Sequence, residues 1–327
     1  TYTASTLKPI VDTQTVATSG YTVNWGACTN ATQYEIQEGS PVTLTSFSDG
    51  AETEDGMFDK WYLSGTVQRR SDGARTGSYS YVMQLYDTST SRWYSSVQSL
   101  TQRKPFKITT TTNVSFYMVS KLEAGSGYLK CEISKDNGNT WITLGTYAGL
   151  VSSWTQRSFN YAALNAAGIN ANDSCILRFV TNFEELAGWT GFASAGYGID
   201  DISINNVEIA SYGNWVTLNN AVPSNSYTVS SKTCGQYAYQ VRAYANSAWQ
   251  GYGDIGVTTV DLPSYTVNFQ TDGTPGATLS GTTAQTVCSG SACTSVTANS
   301  PVSHIFSQWT SGASPYSSNN TLTVTNV

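Results

Sequence analysis

Tyr237-Ala238-Tyr239-Gln240-Val241-Arg242-Ala243-Tyr244 reads as a single β-strand. Alternation puts Tyr237, Tyr239, Val241 and Ala243 on one face and Ala238, Gln240, Arg242 and Tyr244 on the other, the period of a half-buried strand. The same texture extends in both directions. Short alternating runs, punctuated by Gly, Asn and Ser, fill most of the 327 residues. The nearest approach to a helix is Tyr161-Ala162-Ala163-Leu164-Asn165-Ala166-Ala167, which is short and followed by Gly168. Charged residues make up 12% of the chain, against about a quarter in ordinary globular proteins. Ser, Thr, Asn, Gly and Tyr fill the gap, and good helix formers are scarce. An all-β fold follows, and the length predicts two or three separate cores.

The formal net charge is −6, which repels phosphate backbones and anionic lipid, so nucleic acid is excluded as a partner. No apolar run approaches the roughly 18 residues of a membrane-spanning helix, so membrane insertion is not expected either. No leader-like segment opens the sequence at Thr1-Tyr2-Thr3, and the chain reads as a mature or excised fragment. The six cysteines are Cys28, Cys131, Cys175, Cys234, Cys288 and Cys293. An even count, with no CxxC and a single histidine, points to disulfides in an oxidising, extracellular setting rather than to zinc.

Three textures follow one another. Tyr21-Thr22-Val23-Asn24-Trp25 and Tyr34-Glu35-Ile36-Gln37-Glu38 resemble the B and C strands of a fibronectin type III domain, with Trp25 as the core tryptophan. The matching second half comes far downstream, as Asn214-Trp215-Val216-Thr217-Leu218, Ser226-Tyr227-Thr228-Val229 and the strand from Tyr237, which sits where that family has its tyrosine corner. Residues 1–40 and 209–262 are therefore expected to form one sandwich, split by residues 41–208. Such an insertion is tolerated where the host loop is exposed and the guest's ends lie close together.

The insert carries Asp49-Gly50-Ala51-Glu52, then Ser134-Lys135-Asp136-Asn137-Gly138-Asn139-Thr140-Trp141, and finally Ile199-Asp200-Asp201-Ile202. In this order they resemble the jelly-roll modules of the MAM and choice-of-anchor type. Residues 263–327, with Tyr265-Thr266-Val267-Asn268-Phe269, Phe306-Ser307-Gln308-Trp309 and Leu322-Thr323-Val324, are similar to an InlB B-repeat lacking its last strand. That leaves an unpaired sheet edge.

The B-repeat resemblance implies a hairpin bridge between Cys288 and Cys293. Cys131 and Cys175 lie in strand-like segments of the insert and are expected to pair. Cys28 and Cys234 remain by elimination, against the geometry of a fibronectin sandwich, whose B–C and E–F loops sit at opposite poles. Either the sandwich is distorted or these two are free or intermolecular.

Catalysis finds little support. His304, in Ser303-His304-Ile305-Phe306, would have to serve any Ser-His or Cys-His system, and it reads as a strand residue. Glu184-Glu185 could supply a glycosidase acid but read as a solvated loop pair. The jelly-roll resemblance implies a structural Ca2+ where first and last strands meet, held by Asp49, Glu52 and one of Asp200 and Asp201. Adjacent strand residues face opposite sides, so Asp201 is the favoured one of that pair. Sugar rings stack on exposed aromatics, which nominates Trp93, Tyr94 and Trp189 as ligand-binding residues. Trp61 and Trp141 match core positions, and Trp249 with Tyr252 reads as packing on its own domain.

The sequence therefore predicts a non-catalytic extracellular adhesion or assembly module of a cell-surface protein. Its expected partner is a surface glycan, bound through the jelly roll, or neighbouring protein subunits. The alternatives are a structural subunit of a filament or sheath, and an accessory region of a secreted hydrolase.

Overall fold

The computed structural model describes residues 8–71, 73–84, 86–87, 92–93, 97–122, 125, 127–183 and 196–327, with the backbone alone at 55, 86–87 and 92–93. Among these the fold is nearly all β. Two short helices interrupt it. Glu54–Lys60 is capped by the Thr53 side chain, which accepts from the Gly56 N–H, and Tyr161–Ala166 by the Asn160 side chain, which accepts from the Ala163 N–H. The first was not legible as a helix, because Gly56 sits inside a single turn and a half. Among the described residues no helix is long and apolar enough to cross a membrane. The chain divides into two compact units, one of Thr43–Ser211 and the other of Thr1–Val42 with Tyr212–Val327.

Thr43–Ser211 is a β-sandwich of two antiparallel sheets. One runs in the order Val67–Arg70, Ser80–Gln84, Gly196–Val222, Phe106–Ser120, Val151–Asn160. The other runs Trp61–Ser64, Val97–Gln102, Ser174–Phe183, Gly127–Ser134, Ile142–Ala148. Between them lie Trp61, Tyr81, Met83, Leu100, Phe116, Met118, Phe179 and Ile199, all sealed from solvent. Phe116 meets Phe179 edge-on at 4.7 Å, and Trp61 packs beside Phe179 at 6.2 Å, geometries that aromatic quadrupoles favour. Trp141 lies outside this core, half-buried beneath the Arg178 guanidinium at 3.9 Å.

In the second unit, Gln14–Val16 pairs parallel with Gly256–Val260, which continues antiparallel to Gly235–Ala245 and then to Ala31–Asp49. Tyr21–Asn24 pairs with Ser226–Val229 and faces that sheet across Val23, Trp25, Ile36, Tyr239 and Val241. The Tyr237 hydroxyl donates to the Thr233 carbonyl at 3.1 Å, the local bond that a tyrosine corner makes. Residues 263–327 add three small sheets around Phe269, Val287, Cys293, Val296, Trp309 and Leu322.

The expected disulfides do not form. The bond present joins Cys234 to Cys288, with Cα atoms 5.9 Å apart, and Cys28, Cys131, Cys175 and Cys293 are free thiols. Register explains each failure. Cys131 stands opposite Phe179, four residues along the strand from Cys175 and so roughly 13 Å away, about twice the reach of a disulfide. Ala284–Cys288 and Val296–Asn299 belong to different sheets, so no hairpin brings Cys293 to Cys288. The Cys28 N–H donates to the Tyr34 hydroxyl, and Tyr34 pairs with Ala243, nine residues and roughly 30 Å of strand beyond Cys234. The poles of this sandwich are too far apart for the pairing by elimination.

Candidate functional site

One face of the sheet that begins with Val67–Arg70 packs on the core. The other points outward and carries Arg70, Ser80, Val82, Gln84, Gly196, Gly198, Val119 and Trp154. A shallow groove of about 70 Å3 crosses the middle of this outer face. Gly196 and Gly198 form its floor. Arg70, Ser80, Val82 and Gln84 stand on one side, and Val119, Lys121 and Trp154 on the other.

The floor has to be glycine. A Cβ on Gly198 would stand 2.8 Å from Val119 Cγ1 and 3.1 Å from the Trp154 indole, and one on Gly196 would stand 2.3 Å from the Met83 carbonyl oxygen. The missing side chains let the indole lie close over the strand, half-exposed at the groove edge. Register fixes the rest, because Val119 pairs with Gly198, Gly198 with Val82, and Gly196 with Gln84. The Lys121 N–H donates to the Gly196 carbonyl at 3.1 Å. Gln84 is 1% exposed, and its amide nitrogen has no protein hydrogen-bond partner, an unsatisfied donor of the kind that native structures rarely keep without a reason.

The four acids named as metal ligands fall into two settings. Asp49 is buried and accepts from Trp61 Nε1 at 2.5 Å, the Tyr81 hydroxyl at 2.6 Å and Lys60 Nζ at 3.2 Å, so it serves the core. Burial beside that carboxylate pushes the Tyr81 hydroxyl far up. Glu52, Asp200 and Asp201 instead gather about Gly50, all with atoms within 3.9 Å of where its Cβ would stand. Asp201 adopts a φ of +47° at a register break in the pairing with Phe106–Ser120. This bulge brings both adjacent acids to one loop, where a regular strand would separate them. Asp200 accepts from the Arg75 N–H at 2.8 Å, while Asp201 takes the Arg75 guanidinium at 2.5 Å and the Thr76 hydroxyl at 2.6 Å. Burial still holds the Asp200 carboxyl above its ordinary value, with those backbone donors opposing. Glu52 accepts from the Ser78 N–H at 3.0 Å. The Arg69 guanidinium occupies the Ala51 and Glu52 carbonyls at 2.6 and 2.8 Å. Two guanidinium groups thus hold the oxygens that a Ca2+ shell would draw on, and the described residues contain no group of three or more His, Cys, Asp or Glu able to hold a metal ion.

Tyr94, Trp189 and Glu184-Glu185 lie outside the described residues, as does the side chain of Trp93. Trp249 packs edge-on to Tyr244 at 5.3 Å and, like Tyr252, beside the Arg242 guanidinium. The Tyr252 hydroxyl donates to Glu35 at 2.5 Å and Arg242 Nη2 to Glu35 at 2.6 Å. These rings are fastened to their own sandwich. His304 Nδ1 meets the hydroxyl of its neighbour Ser303 at 2.9 Å, and nearby Asp272 accepts from the Thr274 N–H at 2.9 Å rather than orienting the ring. A larger groove of about 760 Å3 runs through residues 267–324 beside Phe269, Phe306, Trp309 and Tyr316, with Val302 and Ile305 almost fully exposed near it.

Trp154, Gly196 and Gly198 were not singled out in the sequence. Trp154 sits in Val-Ser-Ser-Trp-Thr-Gln-Arg-Ser-Phe-Asn (151–160), an ordinary alternating run, and only cross-strand neighbours reveal what the glycines do.

No protein family profile matches the sequence, and no curated protein does. Among solved structures, the chain is similar to the CBM22-1 xylan-binding domain of Paenibacillus barcinonensis Xyn10C at 15% identity, covering 51% of this chain and 95% of that one with a TM-score of 0.31. It is similar to the K2 cleaved adhesin domain of Lys-gingipain at 12% identity, 50% and 97% coverage and a TM-score of 0.29. The CBM22-1–GH10 modules of Clostridium thermocellum Xyn10B, complexed with xylohexaose, match at 11% identity, 49% and 28% coverage and a TM-score of 0.31. Likenesses this slight carry no function across, which has to come from the groove itself.

Proposed function

We propose that this chain is a non-catalytic, extracellular adhesion module that binds a glycan in the groove beside Trp154. The observation that carries the reading is the Trp154 indole laid against a floor of two glycines, at the edge of an open groove. A pyranose offers C–H faces to an aromatic ring and hydroxyls to flanking polar groups, and Lys121 stands on the same side of the groove as Trp154. Affinity electrophoresis through soluble polysaccharides tests it. Wild type should be retarded by at least one polymer, and Trp154→Ala should run free with an unchanged melting temperature. Equal retardation of both proteins would place binding elsewhere.

A second reading, a structural subunit that associates with neighbouring copies, draws on residues 267–324. There a groove of mixed polar and apolar lining lies open, Trp309 Nε1 is buried without a protein partner, and Val302 and Ile305 are exposed. Such a surface is a place for another chain to pack. Light scattering decides it, since ordered polymers would support this reading and a monomer across the accessible concentration range would end it.

A further inference from the structure

Resting on the reading in which copies associate, we infer that residues 263–327 dock a second copy of this chain, each copy seating its 301–305 tip in the other's groove. The tip is a β-turn, closed by the His304 N–H donating to the Pro301 carbonyl at 2.9 Å. Turn corners usually carry Gly, Asn, Asp or Ser. Here one corner is Val302, fully exposed, and Ile305 follows directly after the turn at 93% exposure. A single exposed apolar residue is ordinary, but two on one turn beside an open groove mark a contact surface. The groove offers the apolar counterpart. Val267, Leu279, Phe306 and Val324 line it half-buried, and Tyr316 lines it exposed.

The chain does not fill this groove with its own tip. Ile305 reaches the lining yet stays almost wholly in solvent, held at the rim by the closed turn, so the occupant comes from another molecule. Charge says which one. Residues 263–327 hold none of the chain's 16 basic residues and one of its 22 acidic ones, Asp272. A chain of net charge −6 repels its own copies over the rest of its surface, whereas at this module two copies meet almost uncharged. The acid on the groove, Asp272, and the base on the tip, His304, are opposite in sign when charged. A tip entering a partner's groove therefore meets no like charge. With tip and groove on one module, a two-fold axis satisfies both contacts at once, which is the self-complementary form of a closed dimer.

Sedimentation velocity of the intact, oxidised chain over a range of concentrations tests it. Wild type is expected to run as a monomer–dimer mixture that shifts toward dimer as concentration rises. Val302→Asp and Ile305→Asp place a charge on exposed side chains, so the melting temperature should hold while each weakens association about tenfold, or about 1.4 kcal/mol. Tyr316→Asp should do the same from the groove side. Leu150→Asp, also exposed but in the other compact unit, should change nothing. Association that survives all three module variants would overturn the tip-in-groove contact and leave the reading of associating copies standing. A monomer at every concentration would overturn both. Equal weakening by Leu150→Asp would reduce the effect to added negative charge and overturn the inference as well.

Discussion

Breaking the Cys234–Cys288 bond should destabilise the second unit by an amount that can be worked out. The bridge closes a loop of 54 residues, and the chain-entropy relation for a loop of that size gives about 4 kcal/mol at room temperature. The module following Leu262 depends on it. Its core is six buried residues, its strands run two to five residues, and small cores of this kind need a staple. Urea unfolding of the oxidised protein and of Cys234→Ser/Cys288→Ser, followed by tryptophan fluorescence, measures the difference. With a slope of about 2 kcal/mol per molar urea, the midpoint of the affected transition should fall by about 2 M. Thiol titration of the unreduced, denatured protein should count the four free cysteines. An unmoved midpoint, or a count below four, would refute this reasoning.

Three further outcomes are expected. Gly198→Val should abolish glycan retention while the protein stays folded, because its first added carbon already crowds Val119 and Trp154; undiminished binding with native circular dichroism would contradict the groove. Glu35 should give the second unit an acid-labile contribution. Burial alone would raise its carboxyl, but hydrogen bonds from Tyr252 and Arg242 outweigh that and hold it below its ordinary 4.5. A depressed folded value means the contribution is complete above the unfolded pKa and is lost as pH falls through the folded one. Wild type should therefore lose more stability than Glu35→Gln between about pH 5 and pH 3, and parallel curves would show that the pair contributes nothing. At the Gly50 corner, where Arg69 and Arg75 already occupy the oxygens, excess Ca2+ should leave the melting temperature unchanged after chelation. A saturable rise of several degrees would mean that the acids leave the guanidinium groups for the ion.

The all-β character could be read directly, since alternation in stretches such as Tyr237–Tyr244 is local and side chains on opposite faces meet opposite environments. The chain divides at Val42/Thr43 and Ser211/Tyr212, and each unit carries its own buried cluster. What the sequence hid was set by distant register. Cys234 and Cys288 look unrelated along the chain, and they meet only because Leu262 and Pro263 turn one strand pair back beside another. Its Leu262 N–H even donates to Cys234 Sγ at 3.3 Å. Asp200 and Asp201 share one loop through a bulge that no local pattern announces. Trp154 was passed over for a different reason. A tryptophan in an alternating strand becomes a platform only when the facing residues are as small as Gly196 and Gly198, which lie more than forty positions away.

The central claim is that the outer face beside Trp154 binds a glycan. A glycan array probed side by side with wild type and Trp154→Ala tests it most directly. The account predicts a restricted set of glycans bound by wild type and lost in the variant. An array on which wild type binds nothing, or on which the two proteins give the same pattern, would contradict it.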